Sequence, residues 1–332
     1  MRKVFAALGV ALVIFCSFQN KPFAADKIRV GLSSVSAIHG ATWTAEQKGF
    51  FRKYGIDPEI IVTGQGGTAG VSALIAGDIH FSSNAGDAII NANLRGADTV
   101  IVAAVINKGL QRVMARPDIK SPADLKGRKV GVTRFGAVSH LVLQLMLQRW
   151  RMGQNDVQVL QVGSSPAMIA SLEKGGIDAA VLTMPSVFVA EDRGFRVLVD
   201  LADTDISYLH SMINTTHRYL RDNRDRVLRF LKAYLEGIAY FKQNKKESLD
   251  ILKKKLRIDA QGQRQLERSY DLLAGKFYES APYPSMKGVQ TVLGFLEKEN
   301  PNAKGADPKL FVDDSLLREI DDSGFIKTLY PK

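Results

Sequence analysis

The sequence predicts an α/β protein built as two similar lobes joined by two crossings of the chain. One observation is a repeat at a spacing of about 100 residues: Val30, Gly31, Leu32 and Ser33 return as Val130, Gly131, Val132 and Thr133. A second repeat lies downstream of each copy. Leu74, Ile75, Ala76, Gly77 and Asp78 return as Leu172, Glu173, Lys174, Gly175 and Gly176, each after a Gly/Ser/Thr cluster. Each half therefore reads as strand, polar turn, helix, glycine turn, strand. Two copies at so long a period are not a solenoid. In open α/β sheets ligands bind beyond the carboxyl ends of the strands, so two such lobes face each other across a cleft of small polar residues.

Along the chain, Lys27 to Ser33 is a strand, and Thr42 to Lys53 a helix with Trp43, Gln47, Phe50 and Tyr54 on one face, stopping at Gly55. Glu59 to Thr63 is a second strand, and Gly67 to Ala76 a helix with Thr68 placed to cap it. Ile79 to Ser83 is a third strand, succeeded by a helix near Ala88 to Arg95 and a buried strand from Thr99 to Val105. Val113, Met114 and Ala115 read as the strand that enters the second lobe. Ser121, Pro122 and Asp124 have the spacing of a helix start, and Val138 to Trp150 is the second copy's helix. From Arg218 to Arg257 the chain is basic, with Leu220, Val227, Leu231, Tyr234, Leu235, Ile238 and Phe241 at steps that make one buried helical stripe. These late helices have no strands of their own and pack back on the first lobe. The expected division is a leader over 1–25, a discontinuous first lobe over 26–110 and 210–332, and a second lobe over 111–209. Crossings near Asn107 to Val113 and Asp205 to Ile213 restrict motion to a hinge.

Arg2 and Lys3 precede an apolar run from Val4 to Phe18, with Ala24 and Ala25 after it. That is the pattern of a secretory signal peptide, and the run is shorter than the roughly 20 residues a membrane span needs. Cleavage after Ala25 releases the chain to the periplasm; lipidation of Cys16 is the alternative. Cys16 is the single cysteine, so the released chain has no thiol nucleophile, disulfide or Cys metal site. The formal charge is +11, and without Arg2, Lys3 and Lys21 there remain 42 basic against 34 acidic residues. No nucleic-acid module is visible, so the excess reads as a solvated basic surface.

Several chemistries are excluded. Gly64, Gly66 and Ala69 match a dinucleotide pattern, but the copy at Gly163 lacks it and no acid ends the next strand. There is no P-loop. His39, His80, His140, His210 and His217 have no metal spacing, and the acidic pairs at Glu191, Asp313 and Asp321 read as solvated faces. No catalytic residue, metal or cofactor is expected.

Ala45 to Ile56 resembles the first helix of the nitrate, taurine, sulfonate and NMT1/THI5-like group of ABC-transporter solute-binding proteins. Ser121 to Val132 resembles that group's entry into the second lobe, and Phe311 to Tyr330 its C-terminal tail. The resemblance implies a type II periplasmic-binding fold with two interlobe crossovers, a monomer, and delivery of a captured solute to an inner-membrane permease. It departs at His80, where many members carry an acid, and after Thr183, where only Pro185 of a Trp-Asp-Pro-Tyr run is kept.

The candidate ligand residues lie at the turns. Ser33, Ser34 and Ser36 come after the first strand, Gly66, Gly67 and Thr68 open a helix, and Asn84 ends the third strand. Phe135 and Ser139 lie at the matching turn of the second lobe, where the family places solute contacts; Ser164, Ser165 and Thr183 complete that side. Trp43 and Phe135 have faces for a planar ligand. Each position also has an architectural use as a cap, turn or core residue. Backbone N–H groups at helix starts favour a small organic acid or a neutral planar heterocycle. An enzyme on the same fold, or a sensory partner of a membrane receptor, remain the alternatives.

Overall fold

The computed structural model describes residues 25–64, 67–260, 262–297 and 300–331. Residues 1–24 of the expected leader, and Gly66, lie outside the described residues.

Among the described residues, ten strands form two five-stranded sheets. The first takes β1 (Asp26–Leu32), β2 (Ile56–Val62), β3 (Phe81–Asn84) and β4 (Thr99–Lys108). The second takes β5 (Arg112–Ala115), β6 (Lys129–Val132), β7 (Gln158–Gln161), β8 (Ala179–Leu182) and β9 (Arg196–Asp200). β10 (Ser207–Thr216) then returns to the first sheet. The orders are β2-β1-β3-β10-β4 and β7-β6-β8-β5-β9. In each sheet the fourth strand has just crossed from the other lobe and runs antiparallel to its neighbours, while the first three are parallel. The crossings are paired where Ser207 at the start of β10 stands opposite Lys108 at the end of β4.

The repeat has a packing cause. A Cβ on Gly31 would lie 2.5 Å from Ile79 Cδ1, and one on Gly131 would lie 2.6 Å from Ile177 Cδ1. Each half needs a glycine in its first parallel strand because an isoleucine after the glycine turn packs across it. The helix expected over Thr42 to Lys53 is two helices, Gly40–Gln47 and Phe50–Lys53. Gly49 between them is left-handed (φ 74°), which ends the first helix.

After β10 the described residues form helices and loops, with one bridge, Ile101 to Val312. The Arg224–Gln243 helix buries Val227, Leu231, Tyr234, Leu235, Ile238 and Phe241. Its Phe230 stacks on Phe81 of β3 with ring centroids 3.8 Å apart, which fastens this basic helix to the first sheet. Most of its charge is on the outer face, but Glu236, expected there, is buried and accepts from Lys53 Nζ and Tyr54 Oη at 2.6 Å.

Candidate functional site

The sheet orders place the site. β1, β3, β6 and β8 all end at the space between the lobes, and the antiparallel β5 and β10 begin there. Residues just after the parallel strands and at the start of the crossing strands therefore converge from both sides.

The larger chamber holds about 620 Å³. Its wall is the second lobe's three turns: Thr133, Arg134 and Ala137 to Ser139 after β6, Gly163 to Ser165 after β7 and Thr183 after β8, with Gln111 from the crossing. The Val138–Arg149 and Ser165–Glu173 helices both start at this wall. Helix starts leave N–H groups without intrahelical partners and carry partial positive charge, so two of them favour an anion or a carbonyl oxygen. Ser139 Oγ accepts Thr133 N–H at 2.9 Å and lies 2.8 Å from Thr133 Oγ1, which fixes the turn after β6. Ser164 Oγ accepts Ala167 N–H at 3.3 Å and caps its helix. Gln111 is 5% exposed, and its Oε1 has no partner among the described residues. The wall carries one cation, Arg134, and no carboxylate among the described residues.

A smaller chamber of about 210 Å³ adjoins it, sharing Arg134, Ala137 and Val138. Here the first lobe supplies Gly67, Thr68, Asp87, Asn91 and Tyr208. Burial raises the Asp87 carboxyl above the usual range. Burial, and then the Asp87 charge, push the Tyr208 phenol well up.

Beside these chambers, His39 Nδ1 lies 3.1 Å from Ser83 Oγ, and both residues are buried. Burial, then nearby His210, pulls the His39 imidazole down to about 3; burial pulls His210 down to about 4. Both rings are therefore neutral at pH 7.

The structure brings Ser139, Ser164, Ser165 and Thr183 together in the larger chamber and Gly67 and Thr68 in the smaller one. Other candidates lie elsewhere. Trp43 is 3% exposed in the first lobe's core, edge-on to His39. Phe135 is 56% exposed and packs edge-on to His140, outside both chamber walls. Asn84 is held in a buried network, donating to the Gly67 carbonyl and accepting from Asn214 at 2.6 Å. Ser36 lines a separate apolar cavity of about 340 Å³ with Met184, Leu256 and Ile258. Ser33 and Ser34 are half-buried, Ser33 N–H donating to the Ser83 carbonyl. Gly67 is set by packing: a Cβ there would lie 2.7 Å from Ala88 Cβ.

Sequence reasoning named neither Gln111, Asn91, Tyr208 nor the His39 and His210 pair as site residues. The signal available was position: Gln111 and Tyr208 lie within the two crossings. Glu191 and Asp192 are not a solvated face. Glu191 pairs with Arg112 at 2.7 Å and with Arg268, and Asp192 pairs with Arg268 at 3.2 Å, so a first-lobe helix is tied to the second lobe. Among the described residues no group of three His, Cys, Asp or Glu is placed to hold a metal ion, and no helix is long and apolar enough to cross a membrane.

The family model described as NMT1/THI5 like matches residues 36–248. The chain belongs to the NMT1/THI5-like family. A Brucella abortus protein provisionally named a binding protein is 28% identical over 264 residues, covering 78% of this chain and 80% of its own. The periplasmic aliphatic sulphonate-binding protein of Escherichia coli superposes with a TM-score of 0.72 at 21% identity, over 87% of this chain and 92% of that one. The periplasmic nitrate-binding protein of Synechocystis PCC 6803 gives 0.69 at 15% identity, over 93% and 91%. At such identities the two structures speak for the fold alone: this NMT1/THI5-like chain has the two-lobed periplasmic-binding fold.

Proposed function

We propose that the protein is a periplasmic solute receptor that captures a small organic molecule between its lobes and delivers it to the permease of an ABC importer. The observation that supports this most is the larger chamber, with two helix starts, one arginine and no carboxylate among the described residues of its wall. Such a wall suits an anion, or a neutral planar ring rich in acceptors. Relatives named as binding proteins, and structural neighbours named for sulphonate and nitrate, agree with the role. On this reading the leader is removed near Asp26, the released chain is a monomer, and closure about the two crossings retains the solute.

Binding is favoured over catalysis. His39 and Ser83 resemble a base and a nucleophile, but both are buried, and His39 Nε2 has no partner among the described residues to orient the ring. An imidazole pulled down to about 3 is also too weak a base for chemistry near pH 7.

Native mass spectrometry of the purified protein, and then calorimetry with the solute it retains, tests the role. One small organic molecule per chain, rebound after removal and recovered unaltered, is expected. A protein that retains nothing and shows no thermal shift with small carboxylates, sulfonates or N-heterocycles refutes it, and a protein that turns its ligand over is an enzyme.

A further inference from the structure

The turn after β6 spends most of its own N–H groups on protein acceptors. Ser139 Oγ accepts from Thr133 N–H at 2.9 Å, Gln161 Oε1 from Phe135 N–H at 3.2 Å and His140 Nδ1 from Gly136 N–H at 3.1 Å. Ala137 N–H donates to the Arg134 carbonyl at 3.2 Å, and Gly136 is left-handed (φ 75°), so the chain reverses tightly. Ser139 and His140 belong to the helix that the turn itself opens. Of the three side-chain acceptors, only Gln161 reaches in from another strand. It ends β7 and stands opposite Val132, the last residue of β6. Arg134, the cation of the larger chamber's wall, is carried on this turn.

Gln161 also lines the larger chamber itself, and its side chain is exposed there. Its amide orientation is set, because Oε1 is the atom that accepts Phe135 N–H. Nε2, which carries the two N–H bonds, has no partner among the described residues. Resting on the solute-receptor reading, we infer that Gln161 determines specificity in two ways: Oε1 holds the turn that carries Arg134, and Nε2 donates to the solute. The chamber then offers a guanidinium, helix-start N–H groups and an oriented amide donor, a set that favours a solute group that only accepts. A charged acceptor gains more from such donors than a neutral one. A turn fixed before the solute arrives also needs no ordering when it binds, so the hold on Arg134 adds to affinity without a contact of its own.

Calorimetry with benzoate and with benzamide, its neutral counterpart of nearly the same shape, tests this beside amide hydrogen exchange across the turn. The parent should bind benzoate more tightly; equal or tighter binding of benzamide overturns the preference. Gln161→Met keeps the length of the side chain and removes both the acceptor and the donor. It should speed exchange at Phe135 and weaken benzoate about tenfold or more, and benzamide less, since a hydrogen bond to a charged group is worth more. Gln161→Glu restores the acceptor alone, so exchange at Phe135 should return to the parent's rate while benzoate stays weak. Parent-like exchange at Phe135 in Gln161→Met overturns the hold on the turn. Parent-like benzoate affinity in Gln161→Met, or its recovery in Gln161→Glu, overturns the contact with solute. Each of these results leaves the receptor role standing. If neither probe binds the parent, the solute retained in native mass spectrometry takes the place of benzoate, with the same outcomes. A parent that binds no probe and retains no solute refutes the receptor reading and the contact with it.

Discussion

Lowering the pH from 7.5 to 5.0 should destabilise this fold through its buried histidines. His39 is fully buried and its imidazole is held down to about 3, against an ordinary 6.5 in the unfolded chain. Below pH 6.5 the unfolded chain takes up a proton that the native protein refuses, so stability present above 6.5 is lost as the pH falls. At pH 5.0, some 1.5 units below the unfolded value, a loss of about 1.36 kcal/mol per unit gives about 2 kcal/mol from this one ring. His210 and His80, both also lowered, add losses of the same sign. Asp87, raised by burial, acts the other way, because its native carboxyl takes up a proton first. The carboxyls held low by partners, Asp26, Asp124, Asp205 and Glu247, contribute stability that is lost only below the ordinary carboxylate range. The window above pH 5 therefore excludes these four carboxyls, and the Asp87 contribution cancels between the parent and a variant that leaves Asp87 in place. Urea unfolding of the parent and of His39→Gln at both pH values is the assay. Glutamine keeps an acceptor for Ser83 but does not titrate, so the variant's pH-dependent loss should be about 2 kcal/mol smaller. Equal losses in the two proteins would refute the reasoning.

Other perturbations separate packing from binding. Gly67→Ala should cost about 1–3 kcal/mol in denaturant unfolding, because its Cβ meets Ala88 Cβ at 2.7 Å; unchanged stability would contradict the packing. Loss of binding in a bulkier Gly67 variant therefore reports the fit of two helices rather than contact with solute. Ser139→Ala should cost about 1–3 kcal/mol by stranding Thr133 N–H, and should weaken solute binding by loosening the turn after β6; calorimetry and thermal melts read both. Arg268→Gln removes the Glu191 tie between the lobes and weakens the one at Asp192, where Gln265 and Arg264 remain; a loss of roughly 1 kcal/mol should lower solute affinity about fivefold and leave a more open particle in small-angle scattering.

Much of the fold was legible because it is written in local pattern. Val30 to Ser33 and Val130 to Thr133 are the same strand ends in both lobes, and the stripe from Val227 to Phe241 shows which helix face is buried. The break at Gly49 was less visible, since the apolar spacing runs through it and only the backbone angle ends the helix. The site was legible in its second-lobe half, where Ser139, Ser164, Ser165 and Thr183 come directly after strands in sequence. Of its first-lobe half, Gly67 and Thr68 were legible, but Asn91 and Tyr208 come from separate segments and meet because β10 returns to the first sheet. Glu191 was misjudged for the same reason: Arg112 and Arg268, which neutralise it, are 79 and 77 residues away.

The central claim is that solute lies in the chamber walled by the second lobe's turns. Amide hydrogen exchange on the purified protein, with and without the solute it retains, tests this most directly. Slowed exchange over Thr133 to Ser139 and Gly163 to Ala167, with smaller protection at the two crossings, is the predicted result. Protection confined to the apolar cavity of Ser36, Met184, Leu256 and Ile258, with no change at those turns, would contradict it.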